Sequence, residues 1–205
     1  PADRRELTIL NFVDADHAGS DDSPKSTSGW VVILQGHYTR ALIAWLSKLQ
    51  GATAKSTPEA ELVAHADLLT KASLPIWTLM EDVLGEEIAM TTLTDNTTAE
   101  TAVTTGFSKG LRHLRTHHRL SIGVMSDIYA RDDANLGRVG SRENPSDLCT
   151  KGMTVEAHER HIRYIGMVDQ ASKLELLRGM PHKNVLKWVS VPHSDEEGDE
   201  IVDAD

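Results

Sequence analysis

Four acidic residues have the types and positions that metal-dependent phosphodiester chemistry requires. They lie in short motifs where predicted strands end or helices begin: Asp14 in FVDAD, Glu61 in STPEAEL, Asp95 in LTDN and Asp147 in NPSDLCTK. If the fold brings these strand and helix ends close together, the four carboxylates raise one another's pKa unless cations neutralise them. Two hard cations such as Mg²⁺, about 4 Å apart and bridged by carboxylate oxygens, catalyse in-line displacement at phosphorus. The motifs therefore predict phosphodiester hydrolysis.

Each of these acids also has an ordinary interpretation as a solvated strand-end acid or as a helix N-terminal acid favoured by the macrodipole. Asp14 has a neighbour, Asp16, two residues further on. Residues two apart on a strand face the same side, so the pattern alone leaves open which of the two is a ligand. Solvated side chains are the expectation for four further acids: Asp16, Asp21, Asp22 and Glu59.

The first half of the chain contains the elements that would position Asp14 and Glu61. Apolar, β-branched runs predict strands at 7–14, 29–34 and 41–46, joined as an antiparallel meander. Ser56 followed by Pro58 predicts a helix start, and Gly85 its end. Pro75 predicts a kink or break in that helix between Leu74 and Ile76.

The second half alternates between strand and helix patterns. The predicted order is a strand at 88–94, helices at 97–105 and 111–129, a weak strand at 135–139, a helix opening at 144–147 and a last helix at 155–167. Three antiparallel strands followed by alternating strands and helices predict an α/β fold. Its core would be a five-stranded mixed sheet flanked by helices.

Length and charge predict one domain with an acidic extension. The 205 residues, 40% of them hydrophobic, can form one core, which we expect at 1–168, with a C-terminal extension at 169–205 that is disordered after about 192. The net charge is −10, which disfavours bulk electrostatic binding of nucleic acid. Residues 194–205 contain seven acids and no Lys or Arg, so residues 1–193 carry only −3.

One segment, 109–119 (KGLRHLRTHHR), contains four Lys or Arg residues, three His and no acid. We call it the basic segment; its cations are Lys109, Arg112, Arg115 and Arg119. A phosphate backbone would bind there, although a solvated helix face explains the pattern equally well. His113 and His117 are spaced to share one helix face and could bind a transition metal, but no third ligand is evident. A phosphate-facing or exposed helix is therefore the preferred interpretation.

The compartment is indicated by what the sequence lacks. Cys149 is the single cysteine, so an internal disulfide is impossible and a reducing compartment is favoured. The sequence has no apolar run of about 18 residues and no secretory N-terminus, which predicts a soluble protein that does not bind membranes. Because the chain begins with Pro1, we expect a fragment, a processed product or a piece of a longer reading frame.

The motifs occur in a recognisable order. FVDADHAGSDDSPKSTSGW, SKLQ, STPEAEL, TDN and PSDLCTK, between Leu7 and Met167, resemble the ribonuclease H domain of Copia-type (Pseudoviridae) LTR retrotransposon polyproteins. The resemblance implies a ribonuclease H-like fold and hydrolysis of the RNA strand of RNA–DNA hybrids. It also implies that Asp14, rather than Asp16, joins Glu61, Asp95 and Asp147 as catalytic, metal-binding residues. Two Mg²⁺ ions are the implied cofactors, and Mn²⁺ can substitute.

The resemblance also suggests substrate contacts and partners. Hybrid-contacting candidates are Ser26, Thr27, Ser28, Lys48, Gln50 and Asn96, together with the four cations of the basic segment. An upstream reverse transcriptase domain of the same polyprotein is the expected partner, in the cytoplasm, within a virus-like particle, or in the nucleus. The oligomeric state is left open.

The sequence departs from the family at three points. His17 replaces a usual Trp, and Ser146 replaces a usual Ala. The segment RVGSREN, before the last acid, contains no His, so we assign no catalytic histidine. Two other functions are considered: a catalytically inactive interaction module, and a DNA-acting integrase or resolvase of the same fold. The early position of STPEAEL favours ribonuclease H over an integrase.

Overall fold

The sheet at the centre of the molecule has five strands. The computed structural model describes residues 7–19, 23–37 and 39–167. The strands are β1 (Thr8–Asp16), β2 (Thr27–Gln35), β3 (Arg40–Leu49), β4 (Ala89–Thr94) and β5 (Ala134–Arg138), in the order β3-β2-β1-β4-β5. β1, β2 and β3 pair antiparallel, whereas β4 is parallel to β1 and to β5. The predicted α/β class and mixed sheet are confirmed. The expected extension at 169–205 lies outside the described residues.

The strand order places two acid-bearing strand ends side by side. β1 and β4 are parallel neighbours, with Val13 paired to Thr94. Asp14 and Asp95 are the next residues along the two strands, so both lie at the same edge of the sheet. Parallel neighbours need a long crossover between them, and here the crossover includes the helices that follow β3.

Those helices begin and end at the predicted residues. α1 (Thr57–Leu68) is capped by Ser56, whose Oγ accepts a hydrogen bond from the backbone of Glu59, and α2 (Leu74–Leu84) ends at Gly85 with a φ of 71°. Between α1 and α2, residues Leu69–Ser73 form a π-helical segment. This wider winding precedes Pro75, which cannot donate a backbone hydrogen bond to the preceding turn. The interruption therefore lies one turn before the predicted position between Leu74 and Ile76, and it is a change of helix type.

The second half of the chain is more broken than its pattern predicts. It contains α3 (Thr97–Thr105), a 3₁₀ turn (Lys109–Leu111), α4 (Leu114–His117), α5 (Ile122–Tyr129), a 3₁₀ helix (Pro145–Cys149) and α6 (Val155–Tyr164). The prediction of one helix over 111–129 was wrong. The chain forms separate short helices there, because Arg119 adopts a φ of 54°. A non-glycine residue in the left-handed region interrupts an α-helix.

Hydrophobic side chains cover both faces of the sheet. Ile9 and Val13 of β1 belong to the larger cluster, which includes Leu62 of α1 and side chains of α2, α3 and α5. Phe12 lies in the smaller cluster with Ile165, which follows α6. Alternate strand residues point to opposite faces, so β1 contributes to both clusters and is the central strand of the core.

A buried polar network fixes the position of α1. His65 Nε2 and the Tyr129 hydroxyl are 2.6 Å apart, and burial lowers the pKa of His65 to about 4. The ring is therefore neutral at pH 7, and its Nε2 shares a hydrogen bond with the tyrosine hydroxyl. On the sheet, Asn11 donates to Thr92 Oγ1 at 3.1 Å between β1 and β4. A hydrogen bond between Tyr129 and Thr92 connects the two pairs, so a chain of hydrogen bonds links α1, α5, β4 and β1.

Candidate active site

Three carboxylates converge where β1, α1 and β4 meet. Asp14, Glu61 and Asp95 each place an oxygen within 4.8 Å of the other two. Asp14 is 1% exposed and Glu61 4% exposed, whereas Asp95 is half-buried. They line an open cavity of about 350 Å³ whose other lining residues are Ala15, Asp16, His17, Thr57, Asn96 and Lys151. Three of the four acids singled out from the sequence are thus brought together.

Glu61 is the most strongly perturbed of these acids. Burial, followed by the charges of Asp14 and Asp95, raises the pKa of Glu61 to about 9. Glu61 Oε2 is buried and has no hydrogen-bond partner in the described part of the chain. A buried oxygen without a partner loses its hydration uncompensated. A hard divalent cation bound by these three carboxylates would satisfy that oxygen, so the donor set fits the cation that the motifs imply.

Asp147 lies outside this group of three carboxylates and is joined to Asp14 by a cation. Lys151 Nζ is 2.9 Å from Asp147 Oδ1 and 3.1 Å from Asp14 Oδ1. Although partial burial lowers the pKa of Lys151, the hydrogen bond to Asp147 and the two negative charges outweigh it and raise that pKa. Thr150 Oγ1 donates to Asp14 Oδ2. The fourth acid therefore shares a positive charge with Asp14 rather than joining the three-carboxylate cluster.

Asn144 and Gly29 position the segment that carries Asp147. The Asn144 side chain is fully buried, donates to Val13 O at 3.1 Å and caps the 3₁₀ helix by accepting from the backbone of Ser146. Gly29 is paired with Asp14 across β1 and β2. A Cβ at Gly29 would lie 2.8 Å from Cys149 Cβ and closer still to Thr150. The glycine of KSTSG thus allows the 3₁₀ helix to approach β2 beside Asp14.

Glu59 corrects the expectation of a solvated acid. Its carboxylate is fully buried and accepts from His113 Nε2 at 2.9 Å and from His118 Nε2 at 2.8 Å. Burial raises the pKa of Glu59, but hydrogen bonds from His113, the backbone of Lys55 and His118 outweigh it, so the pKa lies below its usual value. His113 therefore faces Glu59 rather than a phosphate. Asp21 and Asp22 lie outside the described residues.

The candidate hybrid contacts at the start of β2 and the end of β3 divide into buried and exposed side chains. Ser26, Ser28 and Gln50 are buried, and Gln50 Nε2 donates to Ser28 Oγ and to Ala60 O, both at 2.9 Å. These bonds hold β2 against the start of α1. Their side chains therefore support the site from within, whereas Thr27 is half-buried and Lys48 is exposed.

The other candidate contacts flank the carboxylates. Asn96 lines the cavity and caps α3, its Oδ1 accepting from the backbone of Thr98 and of Ala99. The four cations of the basic segment are exposed, and Arg112 lies over the Phe107 ring with its guanidinium carbon 5.2 Å from the ring centre. His117 Nε2 lies 3.2 Å from Thr53 O. Because His113 and His118 contact Glu59, the basic segment is anchored at the start of α1.

The sequence motifs did not predict three features of the site: the ion pairs of Lys151, the burial of Glu59 and the steric role of Gly29. Lys151 follows Asp147 by four residues within PSDLCTK, and that helical spacing is the sequence indication of an ion pair. Glu59 had no such indication, because nothing in STPEAEL marks it as buried. The steric role of Gly29 depends on a segment more than one hundred residues away in sequence.

The chain is similar to a transposon polyprotein. No protein-family model matches it. It is 26% identical over 161 residues to the retrovirus-related Pol polyprotein from transposon TNT 1-94 of Nicotiana tabacum. The matched residues are 78% of this chain, which spans only 11% of the polyprotein's length.

Two solved structures were also found to be similar. RNase H1 from the halophilic archaeon Halobacterium salinarum is 15% identical, with a TM-score of 0.44 over 70% of this chain and 94% of that one. The N-terminal RNase H domain of a Mycobacterium tuberculosis protein, solved as a fusion with maltose-binding protein, is 14% identical, with a TM-score of 0.45 over 70% and 95% of the two chains.

The sheet order and the acids at its edge agree with the ribonuclease H-like fold that the motifs imply. The similarity to the tobacco transposon polyprotein covers most of the chain and agrees with the ordered motifs. These observations support the resemblance of this chain to the ribonuclease H domains of Copia-type retrotransposon polyproteins. Within the described ranges, no helix has the length and apolar character needed to cross a membrane.

Proposed function

We propose that this chain is an endonuclease that hydrolyses the RNA strand of RNA–DNA hybrids, with two divalent cations, during retrotransposon reverse transcription. The observation that carries the proposal is Glu61 Oε2, a buried oxygen without a hydrogen-bond partner that lies beside Asp14 and Asp95. A structural role alone gives no reason to bury an unpaired carboxylate oxygen among other acids. A cation-binding role does.

The residues divide into two binding sets. Asp14, Glu61 and Asp95 would hold one Mg²⁺, and Asp14 with Asp147 would hold another, where Lys151 now lies between their carboxylates. Mn²⁺ can replace Mg²⁺ because both take carboxylate oxygens. When bound, such ions provide Lewis acidity for hydrolysis of a phosphodiester.

The side chains have their own tasks in this reaction. Glu61 must lose its proton before it can act as a ligand, and because its pKa is about 9, cation affinity rises with pH through the neutral range. Lys151 must withdraw from Asp14 and Asp147. It is 40% exposed and can turn toward a phosphate of the substrate.

Hybrid binding is assigned to the exposed surface around the cavity. The basic segment would contact phosphates, together with Lys48, while Thr27 and Asn96 would meet 2′-hydroxyls in the minor groove. Ser26, Ser28 and Gln50 would contribute through the backbone that their buried side chains hold in place. The partner we propose is a reverse transcriptase domain of the same polyprotein, within the cell.

The test is cleavage of labelled duplexes by the full chain. RNA–DNA hybrid, RNA duplex and DNA duplex are each incubated in Mg²⁺ or Mn²⁺ with wild type and with Asp95→Asn. Asp127→Asn, an exposed acid on α5, is the matched control. We expect cleavage of the RNA strand in the hybrid alone, a loss of at least 100-fold in Asp95→Asn and wild-type activity in Asp127→Asn.

Other results identify the alternatives. No cleavage in either metal would overturn the proposal for this chain and favour an inactive interaction module. Cleavage of DNA duplex would point to an integrase or resolvase. Equal cleavage by wild type and Asp95→Asn would indicate a contaminating nuclease and remove the support for the carboxylate site.

A further inference from the structure

A second group of metal-binding side chains lies outside the carboxylate site. We call it the histidine cluster; it consists of Glu59, His113, His117 and His118. Oxygen and nitrogen atoms of Glu59, His117 and His118 lie within 4.8 Å of one another. None of these residues lines the cavity that holds Asp14, Glu61 and Asp95. The cluster therefore needs an explanation of its own.

The partners of Glu59 are unusual for a buried carboxylate. The basic segment contains four Lys or Arg residues, and all four are exposed. The fully buried Glu59 is instead held by imidazole nitrogens, His118 at 2.8 Å and His113 at 2.9 Å, and by the backbone N–H of Lys55 at 3.0 Å. Imidazole and carboxylate together form a ligand set suited to Zn²⁺, whereas all-oxygen sets suit Mg²⁺.

The ring arrangement allows two imidazoles to share an ion with Glu59. The rings of His117 and His118 are 4.6 Å apart and nearly perpendicular, at 86°. Zinc bonds of about 2.0–2.1 Å in a tetrahedron separate ligand atoms by about 3.3 Å. The 2.8 Å between His118 Nε2 and Glu59 Oε1 would open by roughly half an ångström, and the exposed His117 would turn from Thr53 O toward the ion.

We propose that Glu59, His117 and His118 bind one Zn²⁺ ion, with His113 orienting the carboxylate through its second oxygen. The sequence pattern offered only His113 and His117 and no third ligand. The fold provides the missing carboxylate from α1, about sixty residues away in sequence. Bound zinc would fasten the basic segment to the start of α1, two residues before Glu61, and so stabilise the surface that flanks the carboxylates.

The test measures zinc binding by the full chain in saturating Mg²⁺, so that Mg²⁺ competes for the all-oxygen site. Calorimetric titration with Zn²⁺ is made on wild type, His117→Gln, Asp95→Asn and His158→Gln. His158 is an exposed histidine of α6 outside the cluster and is the matched control. We expect one Zn²⁺ per chain in wild type and His158→Gln, and binding at least tenfold weaker in His117→Gln.

Co²⁺ gives a spectroscopic readout of the same site. Tetrahedral Co²⁺ with histidine and carboxylate ligands absorbs visible light much more strongly than octahedral Co²⁺, and we expect that band in wild type and its loss in His117→Gln. Circular dichroism shows whether the variant is folded, which the exposure of His117 leads us to expect.

Three results would overturn the proposal. They are a wild-type chain that takes up no Zn²⁺, equal affinity in wild type and His117→Gln, and zinc binding that is lost in Asp95→Asn but kept in His117→Gln. The last result would place the ion on the catalytic carboxylates. The proposal does not depend on nuclease activity, so each can fail separately.

Discussion

Lys151 occupies the space between two of the proposed metal ligands. Its ammonium group contacts both Asp14 and Asp147, whose side chains are 2% and 16% exposed. Two largely buried carboxylates repel each other unless a cation lies between them. The lysine therefore occupies the place that a divalent cation would take in the proposed reaction.

Replacing Lys151 by Met is expected to make folding stability depend on the metal. In EDTA, Asp14 and Asp147 lose their shared countercharge, which costs about 1 kcal/mol because the 40% exposed lysine is partly screened. The thermal midpoint should fall by roughly 2–4 °C in a domain of this size. Mg²⁺ should return it close to the wild-type value. Differential scanning fluorimetry with and without Mg²⁺ measures the effect.

Lys71→Met is the matched control. Lys71 pairs with Asp67 four residues before it, on an exposed helical surface with 51% of its side chain accessible. Its replacement should leave the midpoint almost unchanged and insensitive to Mg²⁺. If Lys151→Met is as stable as wild type in EDTA, the lysine does not act as a substitute for the cation.

At the level of single residues, the sequence predicted some parts of the site and not others. Asp14, Glu61 and Asp95 could be singled out because acids at strand ends and helix starts form recognisable motifs. The burial of Glu59 could not, since STPEAEL places two glutamates in one turn and only tertiary packing distinguishes them. One faces Asp14 and Asp95, and the other meets histidines from the basic segment.

At the level of elements, strands and caps were predictable and contacts between them were not. Ser56, Gly85 and Gly106 mark helix ends through capping and φ preference, and the structure has helices ending there. Apolar periodicity extends over 111–129, but the left-handed conformation of Arg119 breaks that span. Contacts of His113 and His118 with a buried carboxylate outweigh the local helical preference.

The 3₁₀ helix at Pro145–Cys149 gives a prediction at this scale. Gly29→Ala should push the helix away from β2, because the new Cβ would overlap Thr150 and Cys149. Overpacking of this kind costs about 1–3 kcal/mol. Urea unfolding should show the loss of stability. Because Asp147 moves with the helix, the apparent affinity for Mg²⁺, measured by calorimetry, should also decrease.

Gly51→Ala is the corresponding control, because a Cβ at Gly51 meets no atom within 4 Å. Its stability should remain within about 0.5 kcal/mol of wild type. Unchanged stability in Gly29→Ala would mean that β2 and the 3₁₀ helix can separate freely, and that the close approach does not position Asp147.

At the scale of the whole molecule, the net negative charge of the chain disfavours binding of the negatively charged hybrid. The net charge is −10, and seven of the acids lie in residues 194–205. The remaining −3 includes the four carboxylates of the site, which bound cations would neutralise. The basic segment therefore acts against a negative background that comes mainly from residues 194–205, and screening by salt should weaken that background.

Deleting residues 194–205 is expected to strengthen hybrid binding at low salt. Removing seven negative charges reduces repulsion of the phosphate backbone, so the Kd should fall on the order of threefold to tenfold at 50 mM salt. The gain should disappear near 300 mM, where the Debye length is only about 6 Å. Fluorescence anisotropy with an Asp95→Asn chain measures binding without cleavage.

Two control chains keep the full length. A chain in which residues 194–205 are scrambled should bind the hybrid like the full chain, and a chain in which amides replace the acids of 194–205 should bind it like the deletion. Equal affinities of the full chain and the deletion for the hybrid at 50 mM salt would show that the charge of residues 194–205 does not weaken binding.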